Sequence, residues 1–150
     1  MEKDHEYFMR LALEQARKAA QMGEVPVGCV VVHEGKVIGT GHNLRESRAD
    51  PTAHAEIEAL KQAAGELGTW YLEDVTVYCT LEPCCMCAGA LINARAKRLV
   101  YGLSDDKSGA CGSVVNLLQQ PGLNHRVEVT SGILAEESLQ LLQNFFKERR

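Results

Sequence analysis

The chain has no apolar run approaching the 18 or so residues that a membrane-crossing helix needs, so no stretch of it reads as a helical span. The expectation is that no secretory-type leader is present either. The opening residues Met1-Glu2-Lys3-Asp4-His5 are polar and then amphipathic, and the expectation is a cytoplasmic protein. An excess of basic charge is also missing. Sixteen Lys and Arg against 20 Asp and Glu leave a net charge of −4. That argues against bulk electrostatic binding of nucleic acid and leaves room only for a local basic patch. There is no internal repeat, no low-complexity tract and no interdomain linker, so the 150 residues read as one domain, 1–150. A chain of this length buries roughly 70% of the surface it exposes when unfolded, so it needs neither metal nor disulfide merely to fold.

What the chain does have is six cysteines. They do not read as a disulfide framework, because the chain is too long to need staples and Cys84, Cys85 and Cys87 crowd into one turn. Thiols kept reduced and reserved for a metal are the better reading.

Apolar residues at Tyr7, Phe8, Leu11, Ala12, Ala16, Ala19 and Met22 have helical spacing and predict a helix over 4–22. Val25–Val32 and Lys36–Thr40 read as a hairpin turning at Glu34-Gly35. A polar loop then runs to Asp50, the expected N-cap of a helix from Pro51 to about Ala64, closed by Gly65 and Gly68. A strand at Val75–Thr80, a helix at Cys84–Ala94 and a strand at Lys97–Gly102 follow. Beyond the loop Ser104–Gly112 come a short helix near Val114–Leu118, a strand at Arg126–Thr130 and a terminal helix Ala135–Arg150. Helical crossovers after the hairpin imply mostly parallel pairing. The fold class expected is α/β: a three-layer α/β/α domain with a five-stranded mixed sheet and helices on both faces.

Two stretches carry the chemistry. Pro51-Thr52-Ala53-His54-Ala55-Glu56 and Leu81-Glu82-Pro83-Cys84-Cys85-Met86-Cys87 both lie where the chain enters a helix, the edge at which open α/β sheets bind ligands. Cys84 and Cys87 are one helical turn apart and can approach one ion from the same face. With His54 they make three ligands, the number a catalytic zinc takes when its fourth position stays open for water. Residues two apart on a helix diverge by roughly 200°, so His54 and Glu56 serve one site only if it wraps around the helix start. Two thiolates neutralise Zn²⁺, which acidifies its water less than a three-His site does. A carboxylate base, Glu56, is then useful. Glu58 is expected on solvated surface. Two other readings stay open: a helix of buried core cysteines, and a closed structural zinc with Cys79, Cys85 or Cys111 as fourth ligand. Cys29 and Cys79 fall in strands and read as core. His5, His33, His42 and His125 read as ordinary histidines.

His54-Ala55-Glu56 with Pro83-Cys84-Cys85-Met86-Cys87 resembles the established H-x-E and P-C-x-x-C signature of the zinc nucleobase deaminases, a known pattern rather than a product of the spacing argument. The likeness extends to Gly23-Glu24-Val25-Pro26-Val27-Gly28, Asp50-Pro51-Thr52-Ala53, Thr80-Leu81-Glu82, Cys87-Ala88-Gly89-Ala90, Pro121-Gly122-Leu123-Asn124-His125 and Phe145-Phe146. Over nearly its whole length the chain is similar to the bacterial tRNA-specific adenosine deaminases, a branch of the cytidine-deaminase-like superfamily. The resemblance implies conversion of adenosine to inosine at the anticodon wobble position of an arginine tRNA, by a cytoplasmic homodimer with one Zn²⁺ per subunit. It implies that His54, Cys84 and Cys87 bind zinc, that the activated water attacks C6, and that Glu56 shuttles the protons. It places Asn43 against the flipped base, and Asp105, Lys107 and Asn124 along the anticodon loop. Phe145 or Phe146 and Arg149 would touch bases or phosphates beside it. Helix packing also accounts for the two phenylalanines, a solvated helix end for Arg149, turn roles for Asp105 and Lys107, and a backbone cap for Asn43. Cys29 and Cys85 depart from the small apolar residues expected at their positions. A deaminase of free guanine or of a deoxycytidine nucleotide would share the whole zinc apparatus. A zinc-stapled RNA-binding module without catalysis is the third reading, in which Glu56 has no task.

Overall fold

The computed structural model describes residues 4–149. Helix α1 (His5–Gln21) opens with Asp4, whose side chain accepts from the Tyr7 amide, and buries Phe8, Met9, Ala12, Leu13, Ala16 and Ala19 along one face. Strands β1 (Gly28–His33) and β2 (Lys36–His42) form the hairpin, and a short helix α2 (Arg45–Arg48) interrupts the loop that was expected to be irregular. Helix α3 (Ala55–Leu67), strand β3 (Val75–Leu81), helix α4 (Cys85–Ala94) and strand β4 (Arg98–Leu103) follow. A single 3-10 turn spans Leu117–Gln119, then come β5 (Glu128–Thr130) and α5 (Ala135–Glu148). Arg150, expected to end that last helix, and residues 1–3 lie outside the described residues.

The five strands lie in the order β2-β1-β3-β4-β5. Parallel pairing is less dominant than expected: β1 runs antiparallel to both β2 and β3, while β3–β4 and β4–β5 are parallel. The hairpin is the cause. It reverses β1 between β2 and β3, and the β2–α3–β3 crossover leaves those two outer strands parallel to each other.

Side chains alternate across the sheet and separate two cores. Val30, Val32, Tyr78 and Val100 pack with Phe8, Met9 and Ala12 of α1. Cys29, Val31, Val75, Val77, Cys79, Leu99 and Tyr101 pack with Ala55, Ala59 and Ala63 of α3 and Ala88 and Leu91 of α4. Cys29 and Cys79 face each other in the β1–β3 ladder, fully buried, with their sulfurs 3.5 Å apart. Glycines on β2 let α3 come close. A Cβ on Gly39 would fall 2.3 Å from the Ala59 carbonyl oxygen, and one on Gly41 2.3 Å from that of Ala55. Among the described residues no helix is long and apolar enough to cross a membrane.

Several boundaries move. Asp50 does not cap α3. It caps a turn at Thr52, whose amide and hydroxyl donate to it at 2.8 and 2.7 Å, and the helix starts four residues after Pro51. Gly65 lies within α3 rather than closing it, and Gly68, at φ 70°, is its left-handed C-cap. The first strand starts at Gly28 because Val25–Val27 run on as a wall of the cavity described below. Val114 and Val115 are exposed turn residues rather than the start of a helix.

Candidate metal centre and active site

His54 and Cys84 are the N-caps of α3 and α4, both in extended backbone conformations. His54 is therefore outside the helix that carries Glu56, and the divergence expected of two helical residues does not apply. The imidazole Nδ1 lies 3.7 Å from the Cys84 sulfur and 3.6 Å from the Cys87 sulfur. A tetrahedral ion bonded at about 2.05 Å to nitrogen and 2.3 Å to sulfur would hold those atoms about 3.6 Å apart. The donor set thus fits zinc without rearrangement. Among the described residues these three form the one His, Cys, Asp or Glu group close enough to share an ion. Cys79, Cys85 and Cys111 lie outside it. Cys85 is exposed, and the buried Cys111 sulfur sits 3.8 Å from the Pro83 carbonyl oxygen.

The electrostatics match a cation site. The Cys84 thiol is pushed down to about 3, first by the hydrogen bond it receives from Cys87 and then by His54. The Cys87 thiol is pushed up by that same sulfur and by burial. His54 is raised, chiefly by the Cys84 thiolate, against the effect of its own burial. Two sulfurs this close resist ionising together, and a divalent cation is what relieves that conflict.

Glu56 is in the first turn of α3 and only 4% exposed. Its carboxyl accepts a hydrogen bond from the Cys87 side chain, and burial raises its pKa. A raised carboxyl pKa suits a group that must both take and return a proton near neutrality.

His54, Glu56 and Cys84 floor a cavity of about 150 Å³, with Cys87 fully buried next to them, and its walls include Val25, Val27, Asn43, Arg45, Glu82, Asp105 and Ser108. Asn43 is fixed on both sides: Nδ2 donates to the Val25 carbonyl at 3.3 Å, and Oδ1 accepts from the Arg45 amide at 3.1 Å. An amide has two donors and two lone pairs, so Asn43 keeps one of each for a ligand. Asp105 organises a turn, accepting from the Lys107 and Ser108 amides at 3.0 and 3.3 Å and from the Ser108 hydroxyl at 2.9 Å. Lys107 is exposed beside it.

Other expected site residues lie elsewhere. Asn124 is exposed and does not line the cavity. Its neighbour His125 bonds the Ala96 carbonyl oxygen at 2.7 Å, just before β4, at the end of the sheet away from Cys84. Phe145 is buried, with the Arg149 guanidinium 4.2 Å above its ring, while Phe146 is 50% exposed. Arg149 reaches the Gly23 turn, where a Cβ on Gly23 would fall 3.2 Å from its Nη2. That brings the end of α5 beside the segment entering the cavity wall. Glu58, expected on solvated surface, is largely covered and pairs with Arg48 at 2.7 Å and Lys61 at 3.9 Å.

Arg45, Glu24 and Glu82 were not anticipated as parts of the site. Arg45 lines the cavity from α2, a helix too short to show periodicity. Glu24 is 1% exposed and accepts from the Glu46 and Ser47 amides at 3.1 and 2.5 Å. Glu82 is 3% exposed and accepts from the Asp105, Cys111 and Ser113 amides at 3.0, 2.9 and 3.1 Å and from the Ser113 hydroxyl at 2.5 Å. Burial raises both carboxyl pKa values, but these donated hydrogen bonds outweigh it and the net shift is downward.

A three-ligand cluster, an adjacent buried carboxylic acid and a mixed five-stranded sheet define a deaminase, and residues 3–150 match the model of the MafB19-like deaminases. The chain is 47% identical over 145 residues to the tRNA-specific adenosine deaminase of Bacillus subtilis, covering 97% of this chain and 90% of that one. It is 51% identical over 146 residues to the enzyme of the same name from Haemophilus influenzae, covering 97% and 84%. A solved structure from work on A-to-I editing by tRNA deaminases at the wobble position of transfer RNA superposes with a TM-score of 0.88 at 44% identity, covering 91% of this chain and 99% of that one. A guanine deaminase from Nitrosomonas europaea superposes with a TM-score of 0.80 at 26% identity, covering 95% and 84%. The chain belongs to the tRNA-specific adenosine deaminase family.

Proposed function

We propose that this protein hydrolyses adenosine to inosine at the wobble position of a tRNA anticodon, that of an arginine tRNA, with one Zn²⁺ per subunit. The observation that carries this is the His54, Cys84 and Cys87 cluster at a cavity that the buried Glu56 also lines, in a chain 47–51% identical to two tRNA deaminases over 97% of its length. His54, Cys84 and Cys87 would hold the zinc, which when bound supplies a Lewis acid that lowers the pKa of a water molecule.

The chain's own residues do the rest. Glu56 takes a proton from the attacking water as the oxygen adds to C6, and delivers it to the neighbouring ring nitrogen. It then passes the second proton to the departing amine, which leaves as ammonia. The remaining donor and acceptor of Asn43 orient the base edge. A cavity of about 150 Å³ is small beside drug-sized pockets of at least about 300 Å³, so it takes one flat base and leaves the rest of the substrate outside. An unpaired loop supplies such a base at low unstacking cost. Arg45, Lys107 and Arg149 provide the positive charge along the mouth that a net acidic protein needs for RNA. Asn124 joins this reading only through a second copy of the chain, as in the proposed homodimer. A tRNA substrate and reduced thiols both fit a cytoplasmic enzyme.

Incubation of zinc-loaded protein with an unmodified arginine tRNA carrying adenosine at the wobble position, read by sequencing, should show guanosine in place of that adenosine. No conversion of the tRNA alongside ammonia release from free guanine or a deoxycytidine nucleotide would overturn the proposal. RNA binding with no deamination of any substrate would favour a zinc-stapled binding module.

A further inference from the structure

The cavity has two loop walls, and each is held by one buried carboxylate reaching from a distant part of the chain. Glu24 precedes β1 and receives the first amides of the 44–49 wall, Glu46 and Ser47. That wall carries Arg45 and continues from Asn43. Glu82 leaves the end of β3 and receives Asp105, Cys111 and both the amide and hydroxyl of Ser113, so it gathers the two ends of the 105–113 wall onto one group. Gly109 leaves room for it: a Cβ there would fall 2.4 Å from the Glu82 carboxyl carbon. These acceptors replace the ladder of hydrogen bonds that a loop lacks, and a buried amide left without a partner is costly.

We infer that Glu24 and Glu82 are positioning residues that set how tightly the cavity grips its substrate, each through the wall it holds. Neither is needed to bind the metal or to move a proton. They fix Asn43 and Arg45 on one side and Asp105 and Ser108 on the other, so their loss loosens the grip on the nucleotides around the reacting base. The inference rests on the proposed activity for its substrate.

Two readouts on the zinc-loaded full chain test it. The first is amide hydrogen exchange, which needs no substrate. Glu82→Gln should speed exchange at Asp105, Cys111 and Ser113 and leave Glu46 and Ser47 unchanged, and Glu24→Gln should do the reverse. The second is steady-state deamination of an anticodon stem-loop. Each variant should raise KM about tenfold with kcat reduced less than threefold and zinc content unchanged, as expected for a lost hydrogen bond to a charged group. Ser113→Ala, which removes a single hydroxyl, should move KM in the same direction by a smaller factor and serves if Glu82→Gln does not fold. Unchanged exchange, or faster exchange with an unchanged KM, overturns the inference. A wild-type chain inert on the stem-loop would remove the proposed function instead, and exchange alone would then decide whether the carboxylates hold the walls.

Discussion

The floor and the rim of the cavity are built in different ways. The floor groups His54, Glu56, Cys84 and Cys87 sit at the starts of α3 and α4, helices anchored by fully buried residues such as Ala59, Ala63 and Leu91. The His54 and Cys84 carbonyls already accept from the Glu58 and Ala88 amides, the first bonds of those helices. The rim groups Asn43, Arg45, Asp105 and Ser108 sit in loops and a one-turn helix, held by side-chain acceptors from elsewhere. Bond-making needs geometry held to about half an ångström, which regular elements provide. Reading a large, varied substrate tolerates loops positioned by a rigid scaffold.

Changes to the floor should therefore be all-or-none, and changes to the rim graded. Cys87→Ala should abolish both zinc binding and deamination, measured by elemental analysis and ammonia release. Glu56→Ala should keep its zinc and lose about 10³-fold or more in kcat; retained turnover would break the distinction between ligand and proton carrier. Asn43→Ala should lower kcat/KM by about 10- to 100-fold with zinc content unchanged, and a loss as complete as that of Glu56→Ala would move Asn43 to the floor. On α5, denaturant unfolding should show Phe145→Ala destabilised by about 3 kcal/mol and Phe146→Ala by less than about 0.5 kcal/mol. Phe146→Ala should instead raise KM for RNA if its exposed ring meets a base.

The smallest effect concerns acid. The folded-state pKa of Glu24 lies below the ordinary 4.5. Its stabilisation is therefore complete above that value and is lost as pH falls through the lowered folded value. Stability curves of wild type and Glu24→Gln should differ near neutrality and converge in acid. Curves that stay parallel to the lowest pH at which the protein folds would show that the charge of Glu24 contributes nothing.

The floor was legible in the sequence because its logic is local. Cys84 and Cys87 are three residues apart and His54 and Glu56 two, so each pair is visible in a short window of sequence. The sheet and major helices were legible through periodicity. The antiparallel β1–β3 pairing and the late start of α3 were not, because they depend on a hairpin's reach and on Asp50 preferring Thr52. The rim was nearly invisible. Glu24 meets its partners 22 and 23 residues on, and Glu82 meets Ser113 31 residues on. A carboxylate accepting from backbone amides leaves no pattern in the residues that donate to it.

Gly39 and Gly41 work as a shim under the reactive helix. Neither lies among the residues lining the cavity, yet their bare backbone sets how far α3, with its imidazole and acid, stands from the sheet. The two thiols belong to α4 and would not follow if α3 were lifted. A methyl group at either glycine would thus spoil the alignment of imidazole and thiols from beneath, through a strand that lines none of the cavity.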